Sequence, residues 1–309
     1  METPAPFLAS VVQAAPVFFN KAKTVDKILQ LIAQASSEKS SLILFPEVFI
    51  PGYPRGLIFG TTVGGRTAEG REMFLRYWEH SITVPGPETQ LIAQAAKHAN
   101  AYVVIGVTEK DTISDTLYCS LLYFSPQGEL IHKHRKLKPT AAERIIWGEG
   151  DGRDLQVLTT PLGKIGGLIC WENYMPLART ALYQQGIEIY LAPTADARGS
   201  WQSTLEHIAC EGRCFVLGCN QYLTRDHYPE ELRSLLSEEH PSLPSRGGSC
   251  IVSPLGKPLA GPLYDQEGMI TTEIDLREVI KAKMDFDVIG HYARPDVFEL
   301  VVKGNPLEH

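Results

Sequence analysis

Three short segments of the sequence share a Pro-x-Gly pattern, and this pattern restricts the folds that the chain can adopt. The segments are "SPQGEL" from Ser125, "TPLGKI" from Thr160 and "SPLGKP" from Ser253. Proline presets one turn dihedral and glycine accepts a positive φ, so each segment predicts a β-hairpin between the strand-like runs that flank it. Because a hairpin joins antiparallel strands, a purely parallel sheet is excluded.

Around these turns, strand-like and helix-like runs alternate without an obvious linker. The predicted strands are Phe7–Ala15, Ser41–Phe45, Tyr102–Thr108, Leu117–Phe124, Leu155–Thr160, Ile165–Cys170, Ile187–Ala192, Cys214–Tyr222, Gly248–Ser253 and Met269–Ile274. The predicted helices are Val25–Ala35, Glu88–Ala99, Leu177–Gln185 and Gln202–Gly212. This order indicates an α/β protein with mixed sheets, built of hairpins and βα units and covered by helices.

Two long segments interrupt the alternation. Arg55–His80 is rich in glycine and then becomes helical, whereas Thr224–Arg246 is polar. Long loops in compact domains are usually functional or form contacts. We therefore expect lids, subunit contacts or pocket walls here, with disordered insertions as the alternative.

Composition excludes several classes of protein. The chain has 309 residues, of which 44% are hydrophobic and 21% charged, as in soluble globular proteins. The net charge of −7 argues against nucleic acid as a partner. No apolar run approaches the ~20 residues that cross a bilayer, so no membrane partner is expected. No Lys or Arg precedes Lys21, so we expect no signal peptide and a cytoplasmic location.

The six cysteines are predicted to be reduced thiols, because the chain is long and no export signal is evident. Three of them, Cys210, Cys214 and Cys219, lie close together in the sequence. Such a cluster is one feature of zinc sites, but there is no Cys-x-x-Cys pair and no histidine follows at a ligand spacing. We therefore expect core thiols and no metal.

Two predicted strands end abruptly in polar residues. In "GGLICWENYM" an apolar run reaches Cys170 and continues as Trp171 and Glu172. In "SLILFPEVFIPGYP" an apolar run reaches Glu47. A cysteine in such a setting is often inert packing, and the acid alone is equally consistent with a helix cap or a surface ion pair. If Glu47 is buried, however, desolvation raises its pKa towards the range useful for proton transfer.

The third candidate segment is the basic run "IHKHRKLKPT". Lys133 and Lys138 are expected on a solvated face. Leu137 alternates with the charges, and in an extended chain Lys136 would share the face of Lys138, so periodicity alone does not select it. Together with Cys170 and Glu47, however, a lysine completes a set of thiol, carboxylate and ammonium. Such a set supports nucleophilic addition to an electrophilic carbon.

Four segments in this order resemble the nitrilase superfamily, and its true nitrilase branch in particular. They are "FPEVFIPGYP", "HRKLKPTAAERIIWGEGDG", "GGLICWENYMPLAR" and, as a C-terminal motif, "DFDVIGHYARPDVF". The likeness extends over nearly the whole chain.

The resemblance implies a fold and a set of site residues. The fold is a four-layer αββα sandwich of two mixed sheets. Residues 1–309 would form one carbon-nitrogen hydrolase domain, with insertions near 55–80 and 224–246 and a C-terminal segment 276–309. The family's catalytic set maps onto Glu47, Lys136 and Cys170. A second glutamate, Glu143, would position substrate, lysine or water, the alternative being an ordinary acid at a helix start.

The resemblance also implies hydrolysis of an organic nitrile to a carboxylic acid and ammonia, through thioimidate and thioester intermediates on the cysteine. Water is the second reactant and no cofactor is needed. We expect a largely apolar pocket lined by Tyr53, Trp147, Trp171 and Thr194. Glu172 and Asn173 would brace the turn after the cysteine. The alternatives are an amidase, an enzyme that transfers or hydrolyses acyl or carbamoyl groups, and a non-catalytic scaffold. A homo-oligomer, a dimer or a longer spiral, is also implied.

Overall fold

The computed structural model describes residues 3–236 and 245–304, and its elements follow the predicted alternation. In chain order the strands are β1 (Phe7–Gln13), β2 (Ser40–Leu44), β3 (Thr61–Thr62), β4 (Gly65–Arg66), β5 (Ile82–Thr83), β6 (Tyr102–Lys110), β7 (Leu117–Phe124), β8 (Leu130–Arg135), β9 (Leu158–Thr160), β10 (Gly163–Gly167), β11 (Ile189–Thr194), β12 (Phe215–Asn220), β13 (Tyr222–Leu223), β14 (Ser245–Val252), β15 (Pro258–Tyr264) and β16 (Gly268–Ile274). The α-helices are α1 (Lys21–Ser37), α2 (Ala68–His80), α3 (Pro87–Ala99), α4 (Pro176–Tyr183), α5 (Ser200–Gly212), α6 (Glu230–Arg233) and α7 (Arg277–Ala282).

Within the described residues, these strands form two seven-stranded sheets and one small hairpin. The first sheet has the order β16-β1-β2-β6-β7-β8, with β5 also paired to β6. The second has the order β13-β14-β12-β11-β10-β9, with β15 paired to β14. In each sheet the three central strands run parallel and the other pairs along the stated order are antiparallel, whereas the short β5 runs parallel to β6. Both sheets are therefore mixed, as predicted.

All three Pro-x-Gly segments form the hairpins that the sequence predicts. The first joins β7 to β8, with Phe124 opposite Leu130. The second joins β9 to β10, with Thr160 opposite Gly163. The third joins β14 to β15, with Val252 opposite Pro258. Turn chemistry is a local property, which explains why the sequence predicts these positions correctly.

Three buried apolar clusters show how the layers are arranged. One lies between the two sheets and contains residues of both, among them Leu44 and Leu191. A second packs α1 and α3 onto the outer face of the first sheet, and a third packs α4 and α5 onto the second sheet. The architecture is a four-layer αββα sandwich.

Two predictions about local structure are wrong, and several strands, among them β8 and β15, were not predicted. Strand β10 ends at Gly167, so Cys170 does not end a strand but opens a 3₁₀ helix, Cys170–Tyr174. Strand β15 was not predicted, because its two prolines and one glycine are unfavourable in a strand. Cys210 is exposed rather than a core thiol, whereas Cys214 and Cys219 are buried as expected.

Within residues 3–236 and 245–304, no group of three or more His, Cys, Asp and Glu side chains is arranged to hold a metal ion. Over the same residues, no helix combines the length and the apolar character needed to cross a bilayer.

Candidate active site

The three residues singled out from the sequence meet beneath one cavity. Lys136 has no solvent exposure, and its Nζ lies 2.7 Å from Glu47 Oε1 and 2.7 Å from Glu143 Oε2. Cys170 lines the cavity beside these groups and is 4% exposed. A thiol, an ammonium and two carboxylates are thus packed together, and of these residues Cys170 and Glu143 line the cavity.

Glu47 lies in a tight turn directly after β2. The turn rests against strand β6 at Gly106, where a Cβ atom would come within 2.6 Å of the Glu47 Cα. Glycine is therefore required at this contact. On the other side, the Gln221 side chain donates to the Glu47 backbone carbonyl at 2.7 Å. The backbone of the acid is fixed by two neighbouring elements.

The two carboxylate oxygens of Glu47 have different surroundings. Oε1 accepts from Lys136 Nζ at 2.7 Å and from the Cys119 thiol at 3.6 Å. Oε2 is buried and has no hydrogen-bond partner among the described residues. A buried oxygen without a partner is costly unless it takes part in the chemistry, so Oε2 is the atom available to accept a proton.

Cys170 is held in a backbone conformation that is unusual for a side chain with a Cβ. Its φ is +51°, in the left-handed region. The Asn173 side chain stabilises the turn by donating to the carbonyls of Leu168 at 3.0 Å and Cys170 at 2.8 Å. The Thr194 hydroxyl lies 3.1 Å from the Cys170 sulfur. A sparsely populated conformation that its surroundings enforce is typical of functional sites.

Glu172 links the turn that carries Cys170 to the segment that carries Lys136. Its carboxylate accepts from the backbone N–H groups of Ile169 at 2.6 Å and Leu137 at 2.5 Å, and from His134 Nε2 at 3.0 Å. Glu172 and Asn173 therefore brace the turn by hydrogen bonding, as expected. Because Leu137 directly follows Lys136, the same carboxylate ties together the two residues that must approach the substrate.

Burial and charge set the protonation of this cluster. Burial raises the pKa of Glu47, although Lys136 counteracts part of this rise. Burial and the nearby Glu47 carboxylate raise the pKa of the Cys170 thiol far above its ordinary value. For Lys136, burial alone would lower the pKa, but Glu47 and Cys170 raise it well above the ordinary value. The resting site therefore holds a neutral thiol, an ammonium and a glutamate that is a stronger base than usual.

Glu143 is both an acid at a helix start and a contact of the buried lysine, the two interpretations that the sequence left open. Its carboxylate accepts from the Thr140 backbone N–H at 2.7 Å, which caps the 3₁₀ helix Ala141–Ile145. The same carboxylate binds Lys136 at 2.7 Å and accepts from the Tyr53 hydroxyl at 2.7 Å. Burial raises the pKa of Tyr53 well above its ordinary value, so this hydroxyl remains a donor.

The cavity above the cluster has a volume of about 610 Å³. Its wall includes Tyr53 and Trp171, two of the four residues predicted for it. Thr194 is fully buried behind Cys170 and contacts the sulfur rather than the cavity. Trp147 lies outside this wall. Its ring is 5.8 Å from that of Tyr53, and it borders a smaller neighbouring cavity of about 230 Å³.

Most of the cavity surface is apolar, as expected, but the charged side chains that also line it were not predicted. Besides Glu143, four charged residues line the cavity: Arg55, Asp196, Arg198 and Arg246. Arg55 lies in one loop, Asp196 and Arg198 lie in another, and Arg246 lies in strand β14. No periodicity in the sequence connects them. The available signals are only that Arg55 follows "PGYP" and that Asp196 and Arg198 follow Thr194 in "TADAR".

Lys136 and Lys138 do not share one face, as they would in an extended chain. Strand β8 ends at Arg135, so the alternation of faces stops before either lysine. Lys136 turns inward and is fully buried, whereas the Lys138 side chain is 52% exposed and pairs with Glu149.

The sequence also matches a known family over most of its length. Residues 8–284 match the carbon-nitrogen hydrolase family. The chain belongs to the carbon-nitrogen hydrolase family. It is 52% identical to an aliphatic nitrilase of Sinorhizobium fredii (strain HH103), over 97% of this chain and 96% of the relative. It is 51% identical to a bifunctional nitrilase/nitrile hydratase of Nicotiana tabacum, over 97% of this chain and 86% of the relative. Within the family it lies in the nitrilase branch.

Solved structures support the fold assignment independently. A carbon-nitrogen hydrolase from Helicobacter pylori G27 superposes with a TM-score of 0.75 at 18% identity, covering 95% of this chain and 97% of that chain. Saccharomyces cerevisiae Nit3 superposes with a TM-score of 0.74 at 19% identity, covering 95% of this chain and 99% of that chain. At this identity the likeness concerns the fold alone.

Proposed function

We propose that this carbon-nitrogen hydrolase is a nitrilase, which converts an organic nitrile and two water molecules into a carboxylic acid and ammonia. The observation that carries the proposal is the position of Lys136, whose buried ammonium contacts both Glu47 and Glu143 beside the Cys170 thiol. The nitrilases among the relatives support the choice of nitrile as the electrophile.

The first step is addition of sulfur to the nitrile carbon. Because burial raises the pKa of Cys170, a standing thiolate is unfavourable, and the proton must leave as sulfur attacks. Glu47 takes this proton through Oε2, its oxygen without a hydrogen-bond partner. Lys136 stabilises the negative charge that develops on nitrogen, and the proton on Glu47 then passes to that nitrogen. The product of this step is a neutral thioimidate.

The remaining steps use the same groups. Glu47 removes a proton from a water molecule as its oxygen adds to the thioimidate carbon. Glu47 returns this proton to the nitrogen, and the proton of the new hydroxyl group also passes to nitrogen as the carbon–nitrogen bond breaks. Ammonia leaves, and a thioester remains on Cys170. A second water, activated in the same way, adds to the thioester and releases the carboxylic acid and the thiol. The Trp171 backbone N–H, next to Cys170, is proposed to help bind the charged atom of the intermediates.

Ammonia release from matched substrates tests the proposal. We expect the protein to release ammonia from an alkanenitrile much faster than from the carboxamide of equal chain length. Cys170→Ala, Glu47→Gln and Lys136→Met should each abolish most of this activity, whereas Glu149→Gln, an exposed control, should not. Faster release from the amide would indicate an amidase, and full turnover by Cys170→Ala would refute the mechanism.

We further propose that the protein is a homo-oligomer, assembled in part through its C-terminal segment and its two insertions. Beyond α7 the described residues 283–304 form turns. They carry several largely exposed apolar side chains: Met284, Tyr292, Val297, Phe298 and Val301. Residues 237–244 of the second predicted insertion lie outside the described residues. Sedimentation of a stable monomer at micromolar concentration would contradict the proposal.

We also propose a cytoplasmic location. All six cysteines are unpaired, which suits a reducing compartment. Fractionation of the native host, with recovery of the protein outside the cytoplasmic fraction, would contradict this proposal.

A further inference from the structure

The charges that line the active-site cavity do not balance. The lining contains three arginines and two acids. Both acids already have a cationic partner, since Glu143 binds Lys136 at 2.7 Å and Asp196 forms a two-point ion pair with Arg198. Arg246 has its own partner in Asp265, 2.6 Å away. The remaining arginine is Arg55.

Arg55 has no carboxylate partner among the described residues. Its guanidinium Nη2 donates to the Ala195 carbonyl, and its Nε is buried without a hydrogen-bond partner among those residues. The guanidinium also lies against the Tyr53 ring, 5.6 Å from the ring centre. A half-buried guanidinium with an unused donor loses hydration that nothing in the described protein replaces.

The position of Arg55 is fixed by its backbone and its side chain. The Tyr228 hydroxyl donates to the Arg55 carbonyl at 3.0 Å, and Tyr228 stacks on Phe18 with ring centres 4.3 Å apart. The side chain is held by Ala195, which follows Thr194 behind the Cys170 sulfur. Arg55 is therefore a preorganised donor on the wall of the same cavity that Cys170 lines.

We propose that Arg55 binds a carboxylate on the substrate, so that the preferred nitriles are cyano-carboxylates with an anionic group at the end remote from the nitrile. This inference rests on the proposed nitrilase function. An arginine presents paired N–H donors that match the geometry of a carboxylate. A cyano-carboxylate satisfies the unpaired cation, whereas a neutral alkanenitrile leaves it without an anion. Arg55 thereby selects the substrate and takes no part in bond making.

Kinetics on matched substrates test the proposal. The substrates are cyano-carboxylates with two, three and four methylene groups and the alkanenitriles of equal length. For at least one length, we expect kcat/KM to be at least about tenfold higher for the anion. Arg55→Gln should lower kcat/KM for that anion by about 10- to 100-fold and change the value for the neutral nitrile by less than about threefold. Arg55→Lys should retain part of the preference.

A matched control separates local recognition from general charge. Arg144 is an exposed arginine next to Glu143 that does not line this cavity, and its side chain donates to the Ala141 carbonyl. Arg144→Gln removes the same formal charge and should leave the preference for the anion unchanged. Equal losses on both substrate classes in Arg55→Gln, or a wild-type preference for neutral nitriles, would overturn the proposal.

Binding to an inactive variant distinguishes this inference from the function on which it rests. In Cys170→Ala, calorimetry should show tighter binding of the cyano-carboxylate than of its neutral counterpart. Cys170→Ala with Arg55→Gln should lose that difference. If the wild type released no ammonia from either class, the nitrilase function would fail. If neutral nitriles were hydrolysed but neither kinetics nor binding favoured the anion, only the role of Arg55 would fail.

Discussion

The floor and the mouth of the active-site cavity both contain ion pairs, but the pairs differ in their surroundings. At the floor, Glu47 and Lys136 have no solvent exposure and are held 2.7 Å apart. At the mouth, the Arg198 and Arg246 side chains are 56% and 51% exposed. Solvent weakens exposed pairs, whereas removing one partner of a buried pair leaves an uncompensated charge. We therefore expect substitutions at the floor to abolish activity or stability. Substitutions at the mouth should mainly alter which substrates the enzyme prefers.

The largest expected effect at the floor is the loss of its base. Glu47→Gln keeps a hydrogen-bond acceptor for Lys136 but cannot accept the thiol proton. We expect kcat/KM to fall by about 10²- to 10⁴-fold, with no more than a small change in melting temperature. Glu149→Gln, at an exposed carboxylate, is the matched control. A loss below tenfold would show that Glu47 is not the base.

The pH dependence of the wild type sharpens this prediction. Burial raises the pKa of Glu47, and the residue must be deprotonated to act as a base. The acid limb of kcat/KM should therefore lie above the pH at which an ordinary glutamate titrates, and activity should rise as pH increases through it. A limb at or below the ordinary glutamate pKa would contradict the assignment.

The next largest expected effect is a loss of folding stability when Lys136 is replaced. Lys136→Met removes the cation that compensates both Glu47 and Glu143 while keeping most of the side-chain volume. We expect the free energy of unfolding to fall by about 3–5 kcal/mol, as measured by denaturant unfolding. Adding Glu47→Gln should recover part of the loss, because one buried charge is then removed. Lys138→Met, which removes a cation from an exposed ion pair, is the comparison. A loss for Lys136→Met as small as that for Lys138→Met would contradict the claim that the buried pair at the floor differs from exposed pairs.

A smaller effect is expected at the buried His134–Glu172 pair. Burial alone would lower the pKa of His134, but Glu172 raises it above its ordinary value. Burial alone would raise the pKa of Glu172, but His134 lowers it below its ordinary value. The stability that the histidine charge contributes is complete below the unfolded pKa of histidine and is lost as pH rises through the raised folded pKa.

The variant His134→Gln tests this dependence. It should cost about 1–3 kcal/mol in free energy of unfolding at pH 6, since a charged hydrogen bond is lost. The difference from wild type should shrink as pH increases above 6.5, the ordinary histidine value. A difference that stays constant from pH 6 to 9 would contradict a charged pair.

The smallest effect is expected at the mouth. Arg198 pairs with Asp196 and lies over the Trp171 ring, 4.7 Å from its centre. The arginine is exposed, and Asp196 also accepts from the Trp171 indole N–H at 2.9 Å and the Arg198 backbone N–H at 3.0 Å. Because Asp196 keeps these donors, Arg198→Gln should cost less than about 1 kcal/mol in stability. It should change kcat/KM for a neutral nitrile by less than about threefold. A loss comparable to that of Glu47→Gln would show that the mouth shares in the chemistry.

The same contrast explains what the sequence could predict. Hairpins and buried strands depend on local residue choice, and most were predicted correctly, although the strands before Glu47 and Cys170 end earlier, at Leu44 and Gly167. The inward turn of Lys136 depends on a carboxylate 89 residues away, which no alternation within the segment reveals. The positive φ of Cys170 likewise depends on the surrounding turn, which Asn173 and Glu172 hold in place.

The mouth was the least predictable part of the site. Arg55 and Arg198 lie in separate loops, Arg246 lies near the start of strand β14, and the three line one cavity only after folding. Each is an ordinary charged residue in the sequence, and the lack of a carboxylate partner that distinguishes Arg55 from the other two among the described residues is a property of tertiary structure.

Intact-mass measurement of the protein mixed with a slowly hydrolysed nitrile tests the central claim most directly. The account predicts that the wild type gains the mass of the nitrile or of its acyl group, that peptide mapping places the adduct on Cys170, and that Cys170→Ala gains nothing. An adduct on Cys119 or another side chain, or turnover of the nitrile by Cys170→Ala at the wild-type rate, would contradict it.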